Sequence, residues 1–232
     1  QDVTRQSIIA PLTIALDELV SETSAPETIE QLWERYVHHL TISVDTMKEG
    51  FDWHMAHHSR NFAEIVLNLF CHGTIERGLD VAEGGVDIVN IAVDGIGLAV
   101  VADSFAAIEQ RVIEEKRITW QRLVELLKTN YAGAERERLM LRNIPRYGSG
   151  GSRADEWARR IAQTFAHLVK RSRTPNGYNI IPGLFSHGEV VRLGKKIPAT
   201  PNGRFAGAAI SHSTNPDPGF SRGAAAAPTA KA

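Results

Sequence analysis

The sequence predicts an α/β fold in which helices dominate. Apolar residues recur at helical spacing over most of the first seventy residues, and a β-branched run at residues 86–95 ends in glycine before helical periodicity resumes. Of the 232 residues, 43% are hydrophobic and 23% are charged, proportions that are typical of a globular protein with a core. The strand-like runs are too few to close a sheet by themselves.

Residues 1–85 are predicted to be mostly helical. The first helix is expected from Ser7 to about Leu19, and a second begins near Pro26, with Ser24 as its N-cap. The second helical region carries two successive apolar faces, the first formed by Ile29, Leu32, Trp33, Tyr36, Val37 and Leu40 and the second by Phe62, Ile65, Val66 and Leu69.

Residues 86–172 are expected to form a strand followed by helices. The run VDIVNIAVDG at 86–95 predicts a strand that enters the helix GLAVVADSFAAIEQRVIEEKR. Further helices are predicted at TWQRLVELLKTNY, with Thr119 as the cap, at AERERLMLRN, and at SRADEWARRIAQTFAHLVKRSR, with Ser152 as the cap. Glu156 falls one residue late for a strict capping box with Ser152.

Residues 173–232 are predicted to contain a short strand and then an ordered, turn-rich segment. The run YNIIPGLFS is interrupted by Pro182 and Gly183, which favours an edge strand or a bulge. Beyond Glu189 the chain is rich in turn residues, above all in ATPNGRFAGAAISHSTNPDPG at 199–219. A loop of this length inside a compact chain is either functional or disordered.

Charge and hydrophobicity exclude several classes of protein. A formal net charge of -1 gives no electrostatic footprint for nucleic acid or for an anionic membrane. No run of 18 apolar residues occurs, and the first twenty residues fit neither a signal peptide nor a membrane span. A single cysteine excludes an internal disulfide and suits a reducing compartment. We therefore expect a soluble protein of the cytoplasm.

Two glycines follow the predicted strand at the start of a helix. Gly95 and Gly97, with Glu114 or Glu115 about twenty residues further on, partly match a dinucleotide-binding fingerprint. Val100 stands at the third position, where glycine or alanine permits close packing of helix on strand. The favoured interpretation is a glycine-eased turn in which Gly95 and Gly97 are structural, and nucleotide binding remains a weaker alternative.

The histidines and the cysteine do not predict a metal site. His54 and His58 lie one helical turn apart, a spacing that suits zinc or iron, but the sequence offers no third ligand. Solvated or interface histidines are the favoured interpretation, and the role of His54, His57 and His58 stays open. Cys71 follows Phe70 in an apparent apolar helix, which favours a buried structural thiol.

Five segments in order resemble one enzyme family. They are TIERGLDVAEGGVDIVN, GIGLAVVADSFAAI, IPRYGSGGSRAD, PGLFS and ATPNGR with NPDPG, and the similarity runs from about Trp33 to Thr229. This set is similar to the glycyl radical enzymes, the family of pyruvate formate-lyase and related dehydratases, decarboxylases and lyases.

The resemblance implies a partial ten-stranded α/β barrel of the pyruvate formate-lyase type. It implies an enzyme of anaerobic metabolism that cleaves a C–C bond or eliminates a group from a small polar substrate, in the manner of formate acetyltransferase or the dehydratases. The cofactor would be a glycyl radical without a metal, made by an S-adenosylmethionine-dependent iron–sulfur activating enzyme, and the full-length form would be a homodimer. A closed barrel suits this chemistry because it excludes water.

The chain also departs from the family pattern. The cysteine loop, typically Cys-Val-Glu, is absent, Cys71 does not align with it, and the glycine loop is expected beyond the PTA at 228–230. YGSG stands at 147–150 in place of YGND, and Asn202 replaces an aspartate. We therefore expect residues 1–232 to be a single fragment of the barrel domain, with no catalytic residue of its own and inactive alone.

The resemblance and the residues together give candidate site residues. The strand at PGLFS is expected to line the substrate cavity, which makes Phe185, Ser186 and His187 candidate substrate contacts. Arg204 can offer five donors to loop carbonyls, so Arg204 and the neighbouring Gly203 are expected to be structural. The alternative is a non-catalytic helical binding or assembly protein derived from the same fold.

Overall fold

A three-stranded parallel sheet organises the described part of the computed structural model, residues 3–21, 28–171, 173–185 and 188–218. The strands, in spatial order, are β1 (Val3–Ser7), β2 (Asn90–Ile96) and β3 (Asn179–Gly183). The middle strand therefore begins at Asn90 rather than at Val86. β3 lies at an edge of this sheet, as its proline predicted.

β1 precedes the first helix and includes Ser7, where that helix was predicted to begin. The helix starts at Ala10 rather than at Ser7, and the Ser7 hydroxyl oxygen accepts the backbone N–H of Ala10 at 3.2 Å. The residues before it pair with β2, and the backbone N–H of Ile8 donates to the Ile96 carbonyl at 3.2 Å. The expected start of the second helix, Ser24 and Pro26, lies outside the described residues.

Helices account for most of the described chain, which confirms the helix-rich α/β class. Their bounds are α1 Ala10–Ser21, α2 Ile29–Asn61, α3 Ile65–Asn68, α4 Thr74–Arg77, α5 Leu98–Ile108, α6 Trp120–Lys128, α7 Glu135–Arg142, α8 Arg153–Lys170 and α9 Val190–Gly194. A 3-10 turn at Val81–Glu83 precedes β2, and a π-helical turn at Glu109–Glu114 extends α5. No described helix has the length and apolar character of a membrane span.

The helix caps follow the sequence closely. Thr119 caps α6, because its hydroxyl oxygen accepts the backbone N–H of Arg122 at 3.2 Å. Ser152 caps α8 and accepts from the backbone N–H of Asp155 at 3.1 Å. The Asp155 carboxylate accepts the Ser152 N–H at 2.8 Å, so Asp155 closes the capping box that Glu156 is too late to form.

The hydrophobic core is centred on α5, which is buried along its whole length. Phe105 of α5 stacks on Trp157 of α8 with ring centroids 4.7 Å apart, and Tyr36 of α2 meets Phe105 edge-on at 5.3 Å. The first apolar face predicted for α2 therefore packs into the core. The second predicted face does not, because α2 ends at Asn61 and Phe62, Ile65, Val66 and Leu69 are exposed.

A buried ion cluster, formed by Asp103, Arg146 and Asp217, joins three distant parts of the chain. Arg146 Nε donates to Asp103 Oδ2 at 2.8 Å, and its Nη2 donates to Asp217 Oδ2 at 3.1 Å. The backbone N–H of Tyr147 also donates to Asp103 Oδ1, at 2.7 Å. The cluster therefore fixes α5, the loop before α8 and the end of the turn segment (residues 195–218) to one another.

Burial governs the protonation of this cluster. It raises the pKa of Asp103 to about 6, and the Arg146 guanidinium opposes that shift. Burial also raises the pKa of Asp217, against the charges of Arg146 and Arg204. Burial, helped by the nearby Asp217 carboxylate, outweighs the attraction of Arg146, so the protonated form of Asp103 is favoured more than it is in water.

Arg204 holds the turn segment together from inside. It is 6% exposed, and its guanidinium donates to the carbonyls of Pro198 and Gly194 at 2.9 Å each, and to those of Ala208 and Ala209. Three carbonyls of the turn segment and that of Gly194, the last residue of α9, thus share one buried cation, in a segment with few backbone ladder bonds. Asn202 adds a bond from its Nδ2 to Asp217 Oδ2 at 3.0 Å, which links this loop to the ion cluster.

Gly203 lies where a side chain would collide with α7. Its φ is +78°, and an added Cβ would lie 2.8 Å from the Arg138 carbonyl oxygen. The Gly203 carbonyl in turn accepts Arg138 Nη1 at 2.9 Å. The loop therefore packs directly, backbone to backbone, on the helix.

Replacing Arg204 by alanine should destabilise the chain by about 2–4 kcal/mol, because buried carbonyls lose their charged donor. Chemical denaturation of the Arg204→Ala variant measures this change. The matched control is Arg117→Ala, whose side chain is 58% exposed and pairs with Glu115 at the surface, and which should cost less than about 1 kcal/mol. Equal stability of the two variants would contradict the structural role of Arg204.

Stability should fall as pH rises through the Asp103 titration. Since the folded pKa of about 6 exceeds the ordinary value of 3.8, the proton contributes stability that is complete below that ordinary value and lost as pH passes about 6. Relative to Asp103→Asn, which cannot titrate, the free energy of unfolding should therefore fall by about 1–3 kcal/mol across this window. Denaturant unfolding at several pH values measures the difference. If the free energy of unfolding rises with pH relative to that of Asp103→Asn, Arg146 instead lowers the pKa of Asp103.

Candidate functional site

The two faces of the sheet have different surroundings. Side chains alternate along a strand, so Ile91, Val93 and Gly95 share one face of β2. This face meets the helices, because an added Cβ at Gly95 would lie 2.9 Å from Phe165 Cε1 of α8. We call the opposite face, which carries Asp94, the second face.

Charged residues collect on the second face. The strand register places Arg5 of β1, Asp94 of β2 and Gly183 of β3 side by side. An added Cβ at Gly183 would lie 2.1 Å from Asp94 Oδ1, so the missing side chain leaves room for the carboxylate across β3. Asp94 is only 6% exposed.

Glu189, at the start of α9, completes this group. Arg5 Nη1 donates to Glu189 Oε2 at 2.6 Å, and Arg192 Nη2 donates to the same oxygen at 2.6 Å. Arg5 Nε is buried and has no hydrogen-bond partner within the described residues. The second face therefore combines two guanidinium groups with two carboxylates and retains an unused buried donor.

An aromatic pair lies beyond the end of β3. Phe185 is 43% exposed, and its ring meets His212 of the turn segment edge-on, with centroids 5.8 Å apart. Of the three substrate contacts expected from the sequence, Phe185 is thus partly accessible. Ser186 and His187 lie outside the described residues.

The aromatic pair follows the carboxyl end of β3, and Asp94 lies in the carboxyl half of β2; ligand sites in open α/β sheets usually lie at this end of the strands. Guanidinium donors, carboxylate acceptors and an aromatic surface together suit a small molecule that carries hydroxyl or anionic groups. We therefore take Arg5, Asp94, Glu189 and Phe185 as the candidate site.

The glycines before α5 fit a close-packed turn. Gly97 has a φ of +93° and caps the helix, and an added Cβ would lie 2.3 Å from Ile9 Cδ1. Val100 is fully buried in the helix that follows. The space in front of the helix is occupied by Ile9, which favours the structural interpretation of Gly95 and Gly97 over a phosphate cradle.

His58 and Cys71 line one cavity together with Asn90 and Ile91, at the amino end of β2. His58 Nδ1 and His54 Nε2 are 3.2 Å apart, and the described residues contain no group of three or more His, Cys, Asp or Glu that could hold a metal. His57 stacks on Trp53 with ring centroids 4.4 Å apart. The prediction of a buried helical thiol was wrong, because Cys71 is partly exposed in a bend after α3 and lines a cavity.

Arg5, Asp94 and Glu189 were not predicted from the sequence. Arg5 lies in the largely polar run VTRQS at 3–7, and Asp94 precedes the first glycine of GIG, but neither signal shows that the two residues share a sheet face. Their proximity depends on parallel pairing between strands more than eighty residues apart in the chain.

Comparison with known proteins matches this fold and these segments to one family. The family described as "Pyruvate formate lyase-like" matches residues 16–194. The isethionate sulfite-lyase of Oleidesulfovibrio alaskensis is 31% identical over 210 residues, which are 84% of this chain and 24% of that protein. The (2S)-3-sulfopropanediol dehydratase of Klebsiella oxytoca is 25% identical, over 90% of this chain and 25% of that protein.

Solved structures share the fold over nearly the whole chain. A glycyl radical enzyme from Archaeoglobus fulgidus matches with a TM-score of 0.86 and 24% identity, over 98% of this chain and 30% of that one. The glycerol-bound glycerol dehydratase of Clostridium butyricum matches with a TM-score of 0.83 and 21% identity, over 93% of this chain and 29% of that one.

The chain thus spans about a quarter of the length of the curated relatives it matches. The resemblance inferred from the five ordered segments is confirmed, and the architecture is that of part of a pyruvate formate-lyase-like α/β barrel. Because the family match covers most of its residues, the chain belongs to the pyruvate formate lyase-like family.

Proposed function

We propose that this chain is part of a glycyl radical enzyme that eliminates a group from a small polar substrate. The observation that carries the proposal is the second face, where Arg5, Asp94 and Glu189 lie on or beside parallel strands and Phe185 follows the end of β3. In the complete barrel this face would line the substrate cavity. The barrel helices on the other face would support it.

The relatives favour elimination over C–C cleavage or acetyl transfer. Those compared above are named as a sulfite-lyase and as dehydratases, and a further relative, 24% identical over 89% of this chain, is the trans-4-hydroxy-L-proline dehydratase of Clostridioides difficile. The substrates in these names are small and polar, and they carry hydroxyl groups. We extend this class of substrate to the protein that contains the present chain.

The residues of this chain would bind and orient the substrate. Arg5 would donate to an anionic or hydroxyl group, while Asp94 and Glu189 would accept from substrate hydroxyls. Phe185 would exclude water from one side. The glycyl radical and its partner cysteine, expected on other segments, would supply hydrogen-atom abstraction. The proposal includes an S-adenosylmethionine-dependent activating enzyme, a homodimer and a cytoplasmic location.

The test uses the natural polypeptide that contains this chain, activated anaerobically by its activating enzyme. Electron paramagnetic resonance should show a glycyl radical, and the activated protein should convert at least one small hydroxylated compound among isethionate, sulfopropanediol, glycerol and hydroxyproline. The Phe185→Ala variant should keep the radical signal and raise KM about tenfold, since it loses one apolar contact with the substrate.

The control for this experiment is Ile14→Ala, a change at a 47% exposed residue of α1 that should leave KM unchanged. A radical with an unchanged KM in Phe185→Ala would remove Phe185 from the substrate site. Failure to form any radical under conditions that activate a known relative would overturn the proposed function.

A further inference from the structure

The last two turns of α2 present a pair of facing imidazoles. His54 and His58 are four positions apart, so their side chains lie on one face of the helix. His54 Nε2 and His58 Nδ1 are 3.2 Å apart, and the ring centroids are 5.1 Å apart. Each ring therefore directs one nitrogen toward the other ring.

The distance between these two nitrogens suits two ligands of one zinc ion. A tetrahedral zinc ion holds two imidazole nitrogens about 3.3 Å apart, because each Zn–N bond is about 2.0–2.1 Å long. Two neighbouring ligands of a square-planar copper ion with bonds of similar length would lie closer, at about 2.9 Å. The observed 3.2 Å is nearer the tetrahedral value, so zinc fits this pair without movement of the rings.

Glu64, which lies beyond the end of α2, orients one of the two rings. His58 Nε2 lies 3.4 Å from Glu64 Oε1, and the His58 side chain is only 12% exposed. When the Nε2–H of His58 donates to this carboxylate, Nδ1 carries the lone pair and directs it toward His54. Zinc-binding histidines are commonly held in this way by a carboxylate behind the ring.

The surroundings of the pair leave room for an ion. His54 is exposed, and His58 lines, together with Glu64, a cavity of about 460 Å³. An ion can therefore enter from solvent, and water can fill its remaining coordination positions. The carboxyl end of a helix also favours a cation. The last buried residue of α2 is Met55, so the final turns of this helix have little support from the core.

We propose that His54 and His58 form a bidentate site for a zinc ion, oriented by Glu64 and completed by water. The described residues bring no third His, Cys, Asp or Glu into a set that could hold a metal, so the site is exchangeable and ties the last two turns of α2 together. Without zinc, one of the two facing nitrogens must carry a proton, because two lone pairs at this distance repel. Zinc replaces that proton.

The test is the protection of these histidines by zinc in the natural polypeptide that contains this chain, stripped of metal and not activated, so that the result does not depend on radical chemistry. Diethyl pyrocarbonate modifies the lone-pair nitrogen of accessible imidazoles, and peptide mass spectrometry reports each histidine separately. Zinc chloride should slow the modification of His54 and His58 about tenfold once free zinc is about ten times its Kd, because only rings without zinc react.

His57 provides the matched control. Its Nδ1 lies 2.7 Å from the Trp53 carbonyl oxygen and its ring stacks on Trp53, so it does not face the pair. Zinc should leave the modification of His57 unchanged, and the His57→Ala variant should keep the protection of His54. In the His58→Ala variant, His54 should react at the same rate with and without zinc. The Glu64→Gln variant should bind zinc about tenfold more weakly.

Equilibrium dialysis of the same proteins against zinc chloride gives a second measurement, which does not require the rings to be accessible to the reagent. The His58→Ala variant should bind one zinc ion fewer than the His57→Ala variant. Magnesium chloride should give no protection, since magnesium prefers oxygen ligands.

Two results would overturn the site. The first is an equal number of bound zinc ions in the His58→Ala and His57→Ala variants. The second is equal protection of His54 and His57 by zinc, or protection of His54 that persists in His58→Ala, which would show an adventitious ion only.

Discussion

The shared guanidinium of Arg146 is the interaction on which the arrangement of this chain depends. It bridges carboxylates from α5 and from the end of the turn segment, and all three side chains are less than 10% exposed. A buried charge left without its partner is strongly destabilising, so each member of the cluster fixes the position of the others. The turn segment has few apolar anchors; this cluster attaches the end of the segment to the helical core, while Arg204 holds the segment together internally.

That attachment extends to the second face. The turn segment carries His212, whose ring contacts Phe185. It follows α9 in the chain, and Glu189, the residue that precedes α9, accepts a hydrogen bond from Arg5. The backbone N–H of Ile210 donates to the Val190 carbonyl at 3.3 Å, which links the turn segment back to α9. Buried electrostatics in one part of the fold thus position both the charged and the aromatic sides of the candidate site.

The sequence predicted the features that depend on local chemistry. The helices capped by Thr119 and Ser152 and the edge strand with Pro182 follow from capping, periodicity and backbone restrictions that act within a few residues. β1 was missed because five residues become a strand only through pairing with β2. The ion cluster escaped prediction for the same reason, since its members are separated by 43 and 71 positions.

The outward direction of Phe62, Ile65 and Phe70 could not be predicted either, because periodicity reports an apolar face and not what covers it. The most direct test of the account is native-state amide hydrogen exchange in the Arg146→Met variant. Amides of the turn segment, such as those of Gly203 and Gly207, should lose protection by about a hundredfold, while those of α8 keep theirs. Unchanged protection of the turn segment, or an equal loss throughout the chain, would contradict the claim that the buried ion cluster holds this segment in place.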